Sequence, residues 1–151
     1  MAKKKQKYIR NGIFSIDEVL PHVDFHNETT QDYLGDDAIV YHIRMWSSRY
    51  KCFSKFGTKC VFCGIEGSFF ALERDYKCDS FHFNLYAIDE SGDEVLMTKD
   101  HIVPKSKGGK NHLSNYQTMC VTCNRNKGDK FPTIEVLTFI ANRERGINLG
   151  I

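Results

Sequence analysis

Apolar residues alternate with more polar neighbours at Ile39, Tyr41, Ile43 and Met45, a period of two that predicts a β-strand. The spacing then changes. Cys52, Phe53 and Phe56 fall on one helical face, Ser47 or Ser48 stands where an N-cap belongs, and Gly57 lies just past the last apolar position. Further on, Phe69 to Leu72 and Phe81 to Ile88 read as strands, and Asp89-Glu-Ser-Gly-Asp93 reads as a hairpin turn into a strand over Glu94 to Val103. With Ser91-Gly92 as the tight loop, Asn84 would lie opposite Lys99 and His82 opposite His101. Upstream, Ser15-Ile-Asp-Glu18 has capping-box spacing for a short helix that Pro21 would stop, and His22 to Asp37 shows no period and reads as loop. Pro132 to Asn142 predicts an amphipathic helix with Ile134, Leu137, Ile140 and Ala141 on one side, ending near Gly146.

A chain of 151 residues, 41% hydrophobic and 26% charged, has the composition and length expected of one globular domain, here 8–151 behind a disordered basic tail over 1–7. No run approaches the roughly 20 apolar residues of a membrane helix, and Met-Ala-Lys-Lys-Lys-Gln-Lys lacks the apolar core of a secretion signal. These features predict a cytoplasmic protein with no membrane partner. The net charge of +2 conceals a segregation: residues 59–98 carry three Lys/Arg against eight acids, whereas 99–130 carry seven against two. Positive charge therefore collects where a polyanion would sit.

Four of six cysteines occur as Cys60-Val-Phe-Cys63 and Cys120-Val-Thr-Cys123. Paired C-x-x-C turns offer two thiolates each to a tetrahedral Zn²⁺, and without a secretion signal this reading prevails over disulfides. A structural zinc site supplies on the order of 10 to 16 kcal/mol of apparent binding energy that is also folding energy. Cys52 and Cys78 have no such partner and are expected to be small, at least half-buried residues.

Between Lys99 and Lys130 the chain places Asp100-His101 at the end of an apolar run, follows it with the Gly-rich basic loop Pro104-Lys-Ser-Lys-Gly-Gly-Lys110, and closes with Cys120-x-x-Cys123 running into Asn124. This stretch resembles the signature of HNH endonucleases: Asp100, His101, Asn115 and Asn124 match the family motif, and Cys120 and Cys123 match half of the zinc knuckle that many members carry. The resemblance implies an α+β fold with a ββα-metal core stapled by the four cysteines, here with an added β-hairpin and flanking helices. It resembles the small free-standing HNH endonucleases of phages and bacteria, which would place a phage-encoded copy in the host cytoplasm.

The implied activity is hydrolysis of DNA phosphodiester bonds, by nicking or double-strand cleavage. His101 would act as general base, since an imidazole with a pKa near 6.5 is mostly neutral at pH 7. Asp100 and Asn124 would give hard oxygen ligands to a catalytic Mg²⁺ or Mn²⁺. By the same resemblance Asn115 would fix the loop and orient His101 through a backbone hydrogen bond. Lys105, Lys107, Lys110, Arg125 and Lys127 are candidate phosphate contacts of the DNA, and His82 a candidate contact beside the site. Two other functions compete: a zinc-stapled DNA-binding module without catalysis, and a nuclease directed at RNA. Either a monomer or a homodimer is compatible with the sequence.

Overall fold

The computed structural model describes residues 7–130 and 134–145. The expected tail, apart from Lys7, and the expected helix start at Pro132 lie outside the described residues, as does the expected stop near Gly146. In chain order the described elements are β1 (Tyr8–Phe14), α1 (Ile16–Val19), β2 (Thr30–Leu34), β3 (Val40–Arg44), α2 (Ser48–Phe56), β4 (Gly67–Asp75), β5 (His82–Ile88), β6 (Glu94–His101), β7 (Tyr116–Cys120), α3 (Val121–Lys127) and α4 (Ile134–Glu144). The fold is α+β. One antiparallel sheet runs β1-β4-β5-β6-β7, and β2 with β3 forms a separate hairpin.

Local chemistry explains most element ends. Ser15 Oγ accepts from the Glu18 amide at 3.2 Å while the Glu18 carboxylate accepts from the Ser15 amide at 2.7 Å, so the capping box forms; a 3-10 turn over Leu20–His22 then carries Pro21. Ser47 caps α2, and Gly57 leaves it at φ 94°. One segment departs from expectation. Residues 30–34, expected as loop, are β2 paired with β3 from Thr30↔Arg44 to Leu34↔Val40. Burial alternates along it, but the inward Gln31 is polar and the exposed Leu34 apolar, so residue type does not follow the alternation. In β1 a register shift between Arg10 and Ile13 interrupts the pairing with β4.

The core gathers Phe70 and Leu72 of β4, Phe83 and Leu85 of β5, Met97 of β6 and Met119 of β7 under Tyr50 and Phe53 of α2. Phe83 is its centre, meeting Tyr33, Phe14 and Phe70 edge-on at ring-centroid distances of 4.7, 5.6 and 5.9 Å. Cys52 is buried as expected, but Cys78 is exposed in the β4–β5 turn region. Burial pushes the Cys52 thiol up to about 11. Among the described residues, no helix is long and apolar enough to cross a membrane.

The turn between β5 and β6 is five residues long, Asp89 to Asp93, with the Asp89 carboxylate accepting from the Ser91 and Asp93 amides at 2.9 Å. The ladder is Ile88↔Glu94, Ala87↔Val95 and Tyr86↔Leu96, one residue out of the register expected for a Ser91-Gly92 loop. A one-residue slip moves every side chain to the opposite face. The ladder also stops at Tyr86, because α2 enters there: Arg49 Nη2 donates to the Phe83 carbonyl at 2.7 Å and Tyr50 Oη accepts from the Phe83 amide at 2.7 Å. Two helical side chains thus satisfy backbone groups that β6 leaves unpaired. His82 is not opposite His101; it pairs with Glu73 of β4 and meets the edge of Tyr8.

Candidate active site

The two C-x-x-C turns converge although 36 residues separate Cys63 from Asp100. The intervening β4–β5 hairpin extends the sheet sideways and does not intrude between them. The Val61 amide donates to the Thr118 carbonyl at 3.0 Å, joining the first turn to β7, and Gly64 turns the chain at φ 79°. Cys120 ends β7, and its sulfur accepts from the Cys123 amide at the start of α3. The four sulfurs lie within 4.8 Å of one another, and those of Cys63 and Cys120 are 3.8 Å apart. Four sulfurs about 2.3 Å from a tetrahedral zinc would be roughly 3.8 Å apart, so the constellation fits a zinc knuckle. Burial pushes the Cys60 thiol up, but the amides of Cys63, Cys120 and Phe62 outweigh it and bring it down to about 6. Burial and thiol neighbours raise Cys123 to about 12. Burial raises the Cys120 thiol as well.

Beside this clasp, β6, β7 and α3 form a ββα unit. Asp100 is buried opposite Gln117, whose Nε2 donates to Asp100 Oδ2 at 2.9 Å. Lys127 reaches from α3 to the same carboxylate, 3.2 Å from Oδ2, and donates to the His101 carbonyl at 2.9 Å. Asn124, also on α3, donates through Nδ2 to Thr98 Oγ1 at 2.8 Å, and Thr98 in turn donates to the Met119 carbonyl. Thr98 and Asp100, two apart on a strand, share one face, so α3 brings Asn124 to the face that carries Asp100. With its nitrogen tied to Thr98, the oxygen is the end of the Asn124 amide left for a cation.

His101 lies on the opposite face of β6. Its ring meets Tyr116 edge-on at 5.0 Å, and its Nε2 lies 2.8 Å from Asn111 Oδ1. An amide oxygen only accepts, so this pairing puts the proton on Nε2 and the lone pair on Nδ1. Asn115 is buried and closes the loop: its Nδ2 donates to the carbonyls of Val103 at 3.1 Å and Lys110 at 2.9 Å, and its Oδ1 accepts from the Val103 amide at 2.9 Å. Its bonds fall beyond His101, so the imidazole takes its orientation from Asn111 and Tyr116 instead. Asn111, Gln117 and Thr98 escaped the sequence reading. Gln117 lies opposite Asp100 across β6 and β7, a register that only the structure shows.

Of the basic residues, Lys105, Lys107, Lys110 and Arg125 are exposed around the site, whereas Lys127 is half-buried against Asp100. The glycine pair has a different reason from phosphate approach. Gly108 sits at φ 86°, and a Cβ on Gly109 would come within 1.8 Å of the Val103 carbonyl oxygen, so the chain folds on itself there. His82 lies outside this group, against Tyr8.

The end of β6 thus carries a buried carboxylate and an imidazole, and α3 brings an amide beside them and the cysteine clasp at its own start. Residues 89–134 match the family model of the HNH endonucleases. That segment is similar to the HNH endonucleases. The HNH match ends a few residues past α3 and covers β6, the basic loop, β7 and α3, the elements that position Asp100, His101, Asn115 and Asn124. Nucleic acid is the substrate class of the HNH family. The searches of curated proteins and of solved structures each returned no match.

Proposed function

We propose that this protein is a metal-dependent endonuclease that hydrolyses DNA phosphodiester bonds, leaving 5′-phosphate and 3′-hydroxyl ends. The observation that supports it most is the division of labour across β6: Asp100 and Asn124 on one face, and His101 with Nδ1 unprotonated on the other. In-line displacement needs a base for the incoming water and positive charge at the leaving oxygen, on opposite sides of phosphorus. The donor set suits a hard divalent cation, since an aspartate oxygen and a neutral amide oxygen leave most positions to water and phosphate. Mg²⁺ or Mn²⁺ held by Asp100 and Asn124 would supply charge at the leaving oxygen; Zn²⁺ on Cys60, Cys63, Cys120 and Cys123 would be structural.

The rest falls to the chain itself. His101 Nδ1 accepts the proton of the attacking water while Asn111 holds Nε2–H and Tyr116 blocks rotation of the ring. Gln117 fixes the Asp100 carboxylate, and Lys127 balances its charge. Asn115 holds the loop that carries Lys105, Lys107 and Lys110 toward the backbone of the duplex.

Supercoiled plasmid and structured RNA, incubated separately with the protein in Mg²⁺ or Mn²⁺, test the reading. Nicked or linear plasmid is expected, and His101→Ala, matched for zinc content and melting temperature, should lose about 10²-fold or more of the rate. Equal behaviour of the two proteins on every substrate would overturn it, and RNA cleavage alone would reassign the substrate.

A further inference from the structure

The tip of the first cysteine turn has no role in holding metal, yet it carries two apolar side chains in water: Phe62 is 82% exposed and Val61 58%. Core phenylalanines such as Phe53, Phe70 and Phe83 are 0% exposed, so this ring is not a remnant of the core. Val61 and Phe62 form one wall of a groove of about 390 Å³ whose lining also includes Met119, Gln117, Lys127 and Lys130. That volume falls within the roughly 300 to 1,000 Å³ of small-ligand sites. Two of these residues are also neighbours of the scissile centre, since Gln117 and Lys127 both contact the Asp100 carboxylate.

We propose that this groove binds an unpaired nucleobase of the DNA strand being cut, next to the scissile phosphate, with Phe62 as its stacking platform. The inference rests on the endonuclease reading and names where that site grips its substrate. Three observations converge on a base. The exposed Phe62 ring offers a flat, polarizable surface that every base can use. Lys130, exposed in the lining, suits a phosphate beside a stacked base. Finally, the clasp fixes the tip, because Val61 donates its amide to Thr118 and both flanking residues are ligand cysteines. A platform held this way loses little freedom when a base lands on it.

The test uses full-length His101→Ala protein loaded with zinc and gapped DNA duplexes carrying 5-iododeoxyuridine in the gap, with matched RNA-containing duplexes as a second arm. Irradiation is expected to cross-link DNA to the peptide bearing Phe62 or Met119. In the same background, Phe62→Ala should weaken binding of the gapped DNA by about tenfold, in line with one lost stack, and Phe62→Trp should preserve it. On DNA abasic at the cross-linking position, the Phe62→Ala effect should vanish. Cross-links confined to other peptides, or an equal Phe62→Ala loss on abasic DNA, would overturn the proposal. Preferential cross-linking of RNA would overturn DNA as the occupant. Plasmid cleavage by the wild type is scored separately: cleavage without the cross-link removes the groove and leaves the nuclease, while the cross-link without cleavage removes the nuclease and leaves a base-binding groove.

Discussion

Two carboxylates lie buried in the same five-stranded sheet, Glu73 on β4 and Asp100 on β6, and their surroundings differ in kind. Glu73 is closed by fixed partners: Asn84 and the Tyr86 hydroxyl donate to Oε1 at 3.0 and 2.6 Å, and Arg10 to Oε2 at 2.8 Å. Arg10 is itself held by Glu94 and lies over the rings of Tyr86 and Phe69. Burial and the Glu73 bond hold the Tyr86 hydroxyl well above the ordinary tyrosine range, so it stays a donor. Asp100 sits where the sheet ends. Gln117 alone among its neighbours is fixed by the strand ladder, and its other partner is the long, flexible side chain of Lys127, which lies 3.4 Å from Oδ1. A carboxylate saturated by rigid donors is a structural strut, whereas one neutralised by a movable ammonium keeps lone pairs for a cation.

The sharpest way to break this contrast is to remove the clasp that holds the Asp100 end together. Chelation of zinc, or Cys60→Ser, should unfold the knuckle and with it the ββα unit. The loss is on the order of 10 kcal/mol of apparent folding energy, read as zinc content and as collapse of the thermal transition. Next in size, Asp100→Ala should cut plasmid cleavage by about 10²-fold or more while leaving the melting temperature close to that of the wild type. Glu73→Gln reverses the pattern. It keeps the shape but weakens the Arg10 pair and sets an amide nitrogen against buried donors, so stability should fall by about 2 kcal/mol in urea unfolding. Cleavage per folded molecule should not change. If Glu73→Gln abolished cleavage at unchanged stability, the division into strut and site would be wrong.

The smallest effect concerns pH. Burial, aided by the nearby Arg49 charge, lowers the His82 pKa below its ordinary 6.5. The unfolded chain then binds the proton more readily, so the His82 contribution is complete above about pH 6.5 and declines as pH falls toward the lowered folded value. His82→Gln should flatten the stability slope below pH 6.5, measured by urea unfolding with excess zinc. An unchanged slope would show that His82 does not couple folding to protons there.

The parts of this protein that were legible in advance are those whose signal is local. Ser15 and Glu18, Ser47 and Gly57, and the paired cysteines each act across a few residues, where spacing maps directly onto geometry. The hairpin register was not of that kind. A five-residue turn and a two-residue turn are both compatible with Asp-Glu-Ser-Gly-Asp, and the wedge of α2 at Phe83 settles where the ladder ends. β2 was invisible because its inward Gln31 is polar and its exposed Leu34 apolar, so residue type hides the period.

The amino-acid sequence by itself determined the α+β composition of the fold, the cysteine clasp and the order of Asp100, His101, Asn115 and Asn124, since each depends on residue type and short-range spacing. Only the tertiary structure decided that Asn111 holds His101, that Lys127 turns inward to Asp100, that the glycine pair folds against Val103, and that His82 faces Tyr8. Those partners come together through sheet order and helix packing, which bring distant residues within hydrogen-bonding reach and leave no trace in the spacing between them.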